Sequence, residues 1–267
     1  MENDLTAVYL AAGLSSRFGG RIKALIQVGP NNESLMELSM NEAIEAGFNS
    51  FVLIVSPKTL EPLKAYFGED FKGLPVKYTI QETPEYRKKP FGTTHALLSA
   101  KDVVNSPFIV LNSDDLYGIN TLKLVADYLQ TNDECYCIPG YRLKNSLPDK
   151  GTVNRGMIHE KEEIIERIEE TFNILKTDIP EKYSGEELVS MNLFGLQPKF
   201  LEYIKGDFEM FLHSCKDDPT TECLLPNSIT NFTIAHNIKM AVIPTEDVPI
   251  GVTNPEDEEI VRNLLSD

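Results

Sequence analysis

Leu5-Thr6-Ala7-Val8-Tyr9-Leu10-Ala11-Ala12-Gly13-Leu14-Ser15-Ser16-Arg17-Phe18-Gly19-Gly20, with Lys23 shortly after, is the stretch whose reading decides the fold. Leu5–Ala11 is an apolar run of strand length, the pattern of a strand buried on both faces. It feeds directly into a loop of small residues. Such residues let a ligand approach the backbone, and glycine removes the Cβ penalty of turn conformations. Successive N–H groups in the loop can form an anion-binding nest, and Arg17 and Lys23 add positive charge. The glycines are not spaced as in a dinucleotide-binding fingerprint, and no Gly-Lys-Ser/Thr follows, so neither familiar phosphate-loop pattern is met. Taken alone, the loop equally suits a flexible surface segment bearing two solvated cations.

Outward from this strand, apolar runs and helical segments alternate. Glu33–Ala46 has helical character, Ser50–Val55 is a second strand, and Ser56-Pro57 predicts a helix start. Val76–Ile80, a helix over Thr93–Val104 and a strand over Pro107–Asn112 follow. Ile119, Leu122, Val125 and Leu129 then share one helical face. This order predicts an α/β fold with a Rossmann-like mixed, mostly parallel sheet flanked by helices. Ligands bind beyond the carboxyl ends of strands in such sheets. The 12–23 and 112–115 clusters both fall there.

Past residue 132 the texture changes to antiparallel-looking strands: Glu134–Leu143, Thr152–His159, Glu163–Ile168 and Ser190–Leu196. A helical region over Phe200–Ser214, a strand over Lys239–Pro244 and an amphipathic helix over Pro255–Leu265 complete the chain. The expectation is one domain over 1–267, with a nucleotide-binding half (1–132) and a smaller antiparallel substrate lobe in 133–267. Asn145–Lys150 reads as a mobile loop.

Charge narrows the functional classes. With 25 basic and 41 acidic side chains the formal net charge is −16. Duplex binding normally needs a basic face, so no nucleic-acid partner is expected. The polar, acidic Met1–Asp4 has no basic segment before an apolar stretch, and no run is long enough to span a membrane. Cys135, Cys137, Cys215 and Cys223 lack a metal-binding spacing and are expected to be free thiols in a cytoplasmic protein.

Two more clusters carry chemistry. Gln81 precedes Pro90-Phe91-Gly92-Thr93-Thr94-His95-Ala96, where Gly92 permits close approach and Thr93 can cap a helix or bond a base edge. His95 is expected to be structural. Val110-Leu111-Asn112-Ser113-Asp114-Asp115-Leu116-Tyr117-Gly118 puts two carboxylates at a strand end, a donor set suited to Mg²⁺. Asp115 also suits a turn or helix cap.

Together these strings resemble the sugar-phosphate nucleotidyltransferase superfamily, whose first strand leads into an L-A-A-G-x-x-S-R-F-like loop and a lysine. The Gln81 and Gly92–Ala96 stretch is similar to that of UTP–glucose-1-phosphate uridylyltransferase-like members. The resemblance implies the nucleotide-diphospho-sugar transferase fold. It also implies phosphate binding by Leu10, Ala11, Ala12 and Gly13, and charge stabilisation by Arg17 and Lys23. Gln81, Gly92, Thr93 and Asp115 would then contact the nucleotide, and Asp114 would bind Mg²⁺. Thr152–Met157, Ile168–Thr171 and Ser190–Gly195 are similar to segments lining the sugar-phosphate pocket, which gives Gly156, Glu170 and Asn192 substrate contacts. One departure stands out: where relatives carry a second metal-binding Asp before a late Gly-Thr, this chain has Ile250. Asp247 or Asp257 would have to substitute.

The expected reaction transfers a nucleoside monophosphate, from UTP in the first instance, to a sugar 1-phosphate. Three other readings stay open. A cytidylyltransferase for phosphocholine or another phospho-alcohol would want an aromatic cage, and the chain has no Trp. A metal-dependent glycosyltransferase would not need Arg17 and Lys23. A nucleotide-binding relative without turnover would fit the missing Asp. Oligomeric state is not encoded in any of these features.

Overall fold

A computed structural model describes residues 4–13, 18–131, 134–148, 151–215, 218–252 and 255–266. Its first half alternates strands and helices: β1 (Thr6–Leu10), α1 (Leu35–Glu45), β2 (Ser50–Val55), α2 (Leu60–Phe67), β3 (Asp70–Phe71), β4 (Leu74–Ile80), α3 (Thr93–Leu98), β5 (Phe108–Asn112), β6 (Asp115–Leu116) and α4 (Ile119–Leu129). The second half is richer in strand: β7 (Tyr136–Arg142), β8 (Val153–Lys161), β9 (Ile164–Ile174), β10 (Leu188–Ser190), β11 (Phe194–Leu196), α5 (Lys199–Ser214), α6 (Leu225–His236), β12 (Met240–Thr245), β13 (Ile250–Gly251) and α7 (Asp257–Leu264).

Eleven strands form one sheet in the order β10-β8-β9-β12-β7-β11-β5-β1-β2-β4-β3, and β13 pairs with β6 separately. The sheet is mixed, as expected. β5, β1, β2 and β4 run parallel, and so do β7 and β12. The strands of the expected substrate lobe pair antiparallel within this same sheet.

Alternation along β1 shows why its sequence is apolar throughout. Ala7 and Tyr9 enter one core with Met36, Met40, Leu122 and Val125 from α1 and α4. Val8 enters the other, with Ala96, Leu97, Phe200, Ile204 and Ile229 from α3, α5 and α6. Both faces are covered by helices, so polar residues have no place between the strand's ends. α1 begins at Ser34, whose side chain and that of Glu37 form a capping box.

The strand expected over Glu163–Ile168 runs on to Ile174, and three other differences from expectation have a local reason. α2 starts at Leu60 and not at Ser56-Pro57, because Ser56 N–H donates to the Thr59 hydroxyl and closes a turn first. α3 ends at Leu98, where the Ser99 hydroxyl takes the Ala96 carbonyl at 2.7 Å and the chain tightens into shorter turns. The strand expected over Ser190–Leu196 is two strands, broken at Asn192, which has φ +59°. Asn145 lies in a 3-10 turn (Leu143–Asn145), and residues 149–150 of the expected mobile loop are outside the described residues.

Candidate active site

The first loop and the fourth parallel strand meet at one cleft, lined by Leu10, Ala11, Gly13, Ile22, Lys23, Ala24, Ser113 and Asp114, with about 560 Å³ of open space. β1 and β5 are adjacent and parallel, with Leu10 opposite Asn112, so the chain leaves both strands on the same edge. Lys23, on a 3-10 turn (Lys23–Leu25), reaches across it: Nζ lies 3.0 Å from Asp114 Oδ2. Both side chains stay partly open to solvent, at 20% and 30% exposure, so an incoming ligand can reach them.

The described residues on either side of the loop are anchored. Ala11 N–H donates to Ile54 O at 2.8 Å, and the Thr59 hydroxyl donates to Ala11 O at 3.0 Å. The Ala11 N–H is thus used within the sheet, while Ala11 still lines the cleft. At the far end Phe18 is buried among Ile26, Val28, Leu35, Leu116 and Val252. Lys23 Nζ lies 5.3 Å from the centre of its ring. Arg17 is outside the described residues.

Asp115 behaves differently from Asp114. It lies in β6, accepts a hydrogen bond from Asn112 Nδ2 at 2.9 Å and faces Gly251, where a side chain would collide with its carboxylate. Burial first, then the neighbouring Asp114 charge, push its carboxyl up to about 7, against the opposing bond from Asn112. The strand-end pair is therefore asymmetric: Asp114 meets Lys23, while Asp115 packs against Asn112 and Gly251.

Tyr117, which sequence reasoning quoted but gave no role, fixes this strand end. Its hydroxyl accepts from Asn112 N–H at 2.9 Å and donates to Met191 O at 3.1 Å. The Tyr141 hydroxyl donates to Tyr117 O at 2.8 Å. The Asp114 loop is thereby tied to the break between β10 and β11. A fully buried tyrosine needs a partner for its hydroxyl, and the D-D-L-Y-G string was the available signal.

Gln81, Gly92 and Thr93 come together, as the sequence predicts, but their polar groups are engaged with the protein. Gln81 is buried, and its Nε2 donates to Gly92 O at 3.0 Å. Thr93 Oγ1 accepts from Leu225 N–H at 2.9 Å, while Gly92, at φ +100°, is the helix cap. A Cβ on Gly92 would lie 2.9 Å from Cys223 N. The loop is thus clamped by the segment before α6, which donates Cys223 N–H to Phe91 O at 2.7 Å. His95 stacks on Phe208 with centroids 4.7 Å apart, and burial holds its pKa below the ordinary value.

On the other side, strand register gathers the expected acceptor residues. Gly156 pairs with Glu170 on β9 and with Ser190 on β10. A Cβ at Gly156 would come within 2.7 Å of Ile168 Cγ2, so packing alone demands glycine there. Burial raises the Glu170 carboxyl, and the Arg155 charge opposes that rise. Asn192 lies in the left-handed turn beyond Ser190, and its N–H donates to Ser190 Oγ at 3.2 Å.

The late segment returns to the site where the sequence puts it, without a second acid. Ile250 pairs with Leu116 and Gly251 with Asp115. Asp247 is used elsewhere: it accepts from Thr121 N–H at 2.8 Å and Thr121 Oγ1 at 3.0 Å, at the first turn of α4. Asp257 is the first residue of α7 and does not line the cleft. Among the described residues no group of three His, Cys, Asp or Glu side chains converges to hold a metal. The four cysteines are free, and no described helix is long and apolar enough to cross a membrane.

A mixed α/β sheet thus sets Lys23, beyond β1, against the acidic end of β5. The chain belongs to the MobA-like NTP transferase domain family, which it matches over residues 7–148, more than half its length. It is 28% identical over 206 residues to the D-glycero-alpha-D-manno-heptose 1-phosphate guanylyltransferase of Campylobacter jejuni, covering 70% of this chain and 86% of that protein. A UTP–glucose-1-phosphate uridylyltransferase of Haloferax volcanii is 22% identical over 120 residues, covering 43% of this chain and 46% of its own. The fold is similar to that of a glucose-1-phosphate thymidylyltransferase structure from Bacillus anthracis, with a TM-score of 0.71 at 14% identity, covering 98% and 96% of the two chains.

Proposed function

We propose that this protein transfers a nucleoside monophosphate from a nucleoside triphosphate to a sugar 1-phosphate and releases pyrophosphate, in the cytoplasm. The observation that carries this reading is the Lys23–Asp114 pair across the cleft at the ends of β1 and β5. In the reaction a phosphate oxygen of the acceptor forms a bond to the α-phosphorus as the bond from that phosphorus to the bridging oxygen breaks. The electron pair leaves with pyrophosphate. A phosphate monoester is largely dianionic at neutral pH, since its second pKa is about 6, so no general base is required. Positioning and charge neutralisation therefore supply the catalysis.

Lys23 would neutralise charge at the triphosphate, with Arg17 assigned the same task from the loop. Ala12 and Gly13 would offer backbone N–H groups. Mg²⁺ fits the donor set: Asp114 is a hard carboxylate, partly open to solvent and already facing a cation, and this ion commonly takes one or two carboxylates plus phosphate oxygens and water. When bound it would neutralise charge on the phosphates. Asp114 is its proposed protein ligand, while Asp257 has no supporting position. Glu170, Gly156 and Asn192 would face the sugar.

The test is a pyrophosphate-release screen of four triphosphates against a panel of sugar 1-phosphates that includes heptose and glucose 1-phosphates. UTP is the first expectation, and the guanylyltransferase relative makes GTP the main competitor. Release with none of these pairs would overturn the reading. Ile250 in the place of a second acid favours one alternative, a nucleotide-binding protein without turnover. Tight UTP or GTP binding with no pyrophosphate would establish it.

A further inference from the structure

Phe18, at the far end of the first loop, is 3% exposed. Its buried cluster draws on Leu35 of α1, Leu116 of β6, Val252 and Val261 of α7. The ring is thus wedged between separate parts of the chain, and one of them, β6, begins directly after Asp114. α7 is tied down beside it: Arg262 Nη2 donates to Gln27 O at 2.9 Å, and Arg21 pairs with Glu258. A ring held on so many sides keeps its place when a ligand enters the cleft. Lys23, which lines that cleft, sets its Nζ over the ring at 5.3 Å from the centre, and 3.0 Å from Asp114 Oδ2.

The two contacts differ in what they leave to a ligand. Asp114 takes one N–H of the ammonium, and it is also the carboxylate proposed to hold Mg²⁺, so its charge is shared. The ring attracts the ammonium through its quadrupole and takes no N–H in a conventional hydrogen bond. It therefore directs the charge and leaves the donors for phosphate oxygens. A lysine needs such direction, because its charge sits on a flexible four-carbon stem with rotatable donors. We infer that Phe18 is a positioning residue whose ring holds the Lys23 ammonium at the cleft for the triphosphate, independently of Asp114. This rests on the proposed function insofar as Lys23 meets a triphosphate. It also gives α7 a part in the site, since Val261 belongs to the cluster that seats the ring.

The test keeps the full chain and replaces Phe18 alone by phenylalanine analogues bearing one, two and three fluorines. Each fluorine drains the negative face of the ring and changes its volume little. With the pair that turns over in the screen, kcat/KM for the triphosphate should fall stepwise, by about 3- to 30-fold at the trifluorinated ring. The melting temperature should not fall with it. In a Lys23→Ala background the same series should be flat, because a pairwise effect vanishes with its partner. In proton NMR the Lys23 ε-methylene, identified by its loss in Lys23→Arg, should be shifted upfield by the ring. It should return to the ordinary lysine position in Phe18→Leu. An unshifted ε-methylene in wild type would overturn the inference, as would a kcat/KM unchanged along the fluorine series. A fall that persists in Lys23→Ala, or that follows the melting temperature, would also overturn it and mark Phe18 as purely structural. Should the wild type release no pyrophosphate with any pair, the functional reading fails by itself. Calorimetry of inorganic triphosphate then decides for Phe18: affinity falling along the fluorine series supports the inference, and equal or absent binding overturns it.

Discussion

The two halves of the sheet assemble their shares of the site by different means. In the first, the side chains proposed for the chemistry follow the carboxyl ends of parallel strands: Lys23 beyond β1, Asp114 beyond β5. In the second, Gly156, Glu170 and Ser190 meet because antiparallel strands hold them in register. Strand ends give one position per strand and depend on topology, which tolerates small shifts. Register is less forgiving, since a slip of one residue turns every side chain to the opposite face. The triphosphate side should therefore respond to loss of single charged groups, and the acceptor side to disturbances that leave those groups in place.

The largest expected effect lies on the strand-end side. Asp114→Ala and Lys23→Ala should each lower turnover by about 10²-fold or more, measured by pyrophosphate release. Melting temperature should barely move, because a partly exposed ion pair contributes only about 0–1 kcal/mol. Near-normal turnover in either purified variant would remove the strand ends from the chemistry.

Next comes the clamp between the halves. Gly92→Ala forces a side chain into backbone at φ +100°, ψ −175°, a strain of about 1–3 kcal/mol, and also against Cys223. Urea denaturation should show a loss of at least that size. A stability equal to wild type would mean that the segment before α6 does not press on this loop.

Tyr117→Phe removes the hydroxyl that joins Asn112 N–H to Met191 O, and should cost about 1–3 kcal/mol in the same assay. It should also raise the acceptor KM more than the triphosphate KM, because the lost bond leads into the β10–β11 break. Equal changes in the two KM values would show that Tyr117 holds the fold and not the acceptor side.

The smallest effect is a pH dependence. Glu42, buried near Asp247 and the backbone of Gly118, has one carboxyl oxygen without a partner, and burial pushes its pKa from 4.5 up to about 7. The folded protein keeps a proton there that the unfolded chain releases. This group's contribution to stability is thus full below the ordinary carboxyl range and is lost as pH rises through about 7. Glu42→Gln should raise the melting temperature at pH 8 and change it little at pH 4.5. Parallel wild-type and variant curves over that range would show that Glu42 is ionised in the folded state.

Much of the parallel half was legible in the sequence, because a strand covered on both faces is an unbroken apolar run. β1, β2 and β5 fall within a residue or two of their expected bounds. The errors came where a hydroxyl competes for backbone groups. Thr59 delays α2 and Ser99 shortens α3. The break at Asn192 was invisible for another reason: the carbonyl beside it is held by Tyr117, 74 residues away. The late segment shows both outcomes, since the sequence placed Ile250 beside the acidic motif but could not tell that Asp247 serves α4.

The sequence by itself determined the phosphate loop, the acidic strand end and the kind of sheet that carries them, because each is written in neighbouring residues. The tertiary structure alone decided that Lys23 faces Asp114 across 91 residues and that Asp115 packs instead against Asn112 and Gly251. Those outcomes depend on which strand ends lie side by side and how much water each charge keeps. Chain packing sets both, and no local pattern records them.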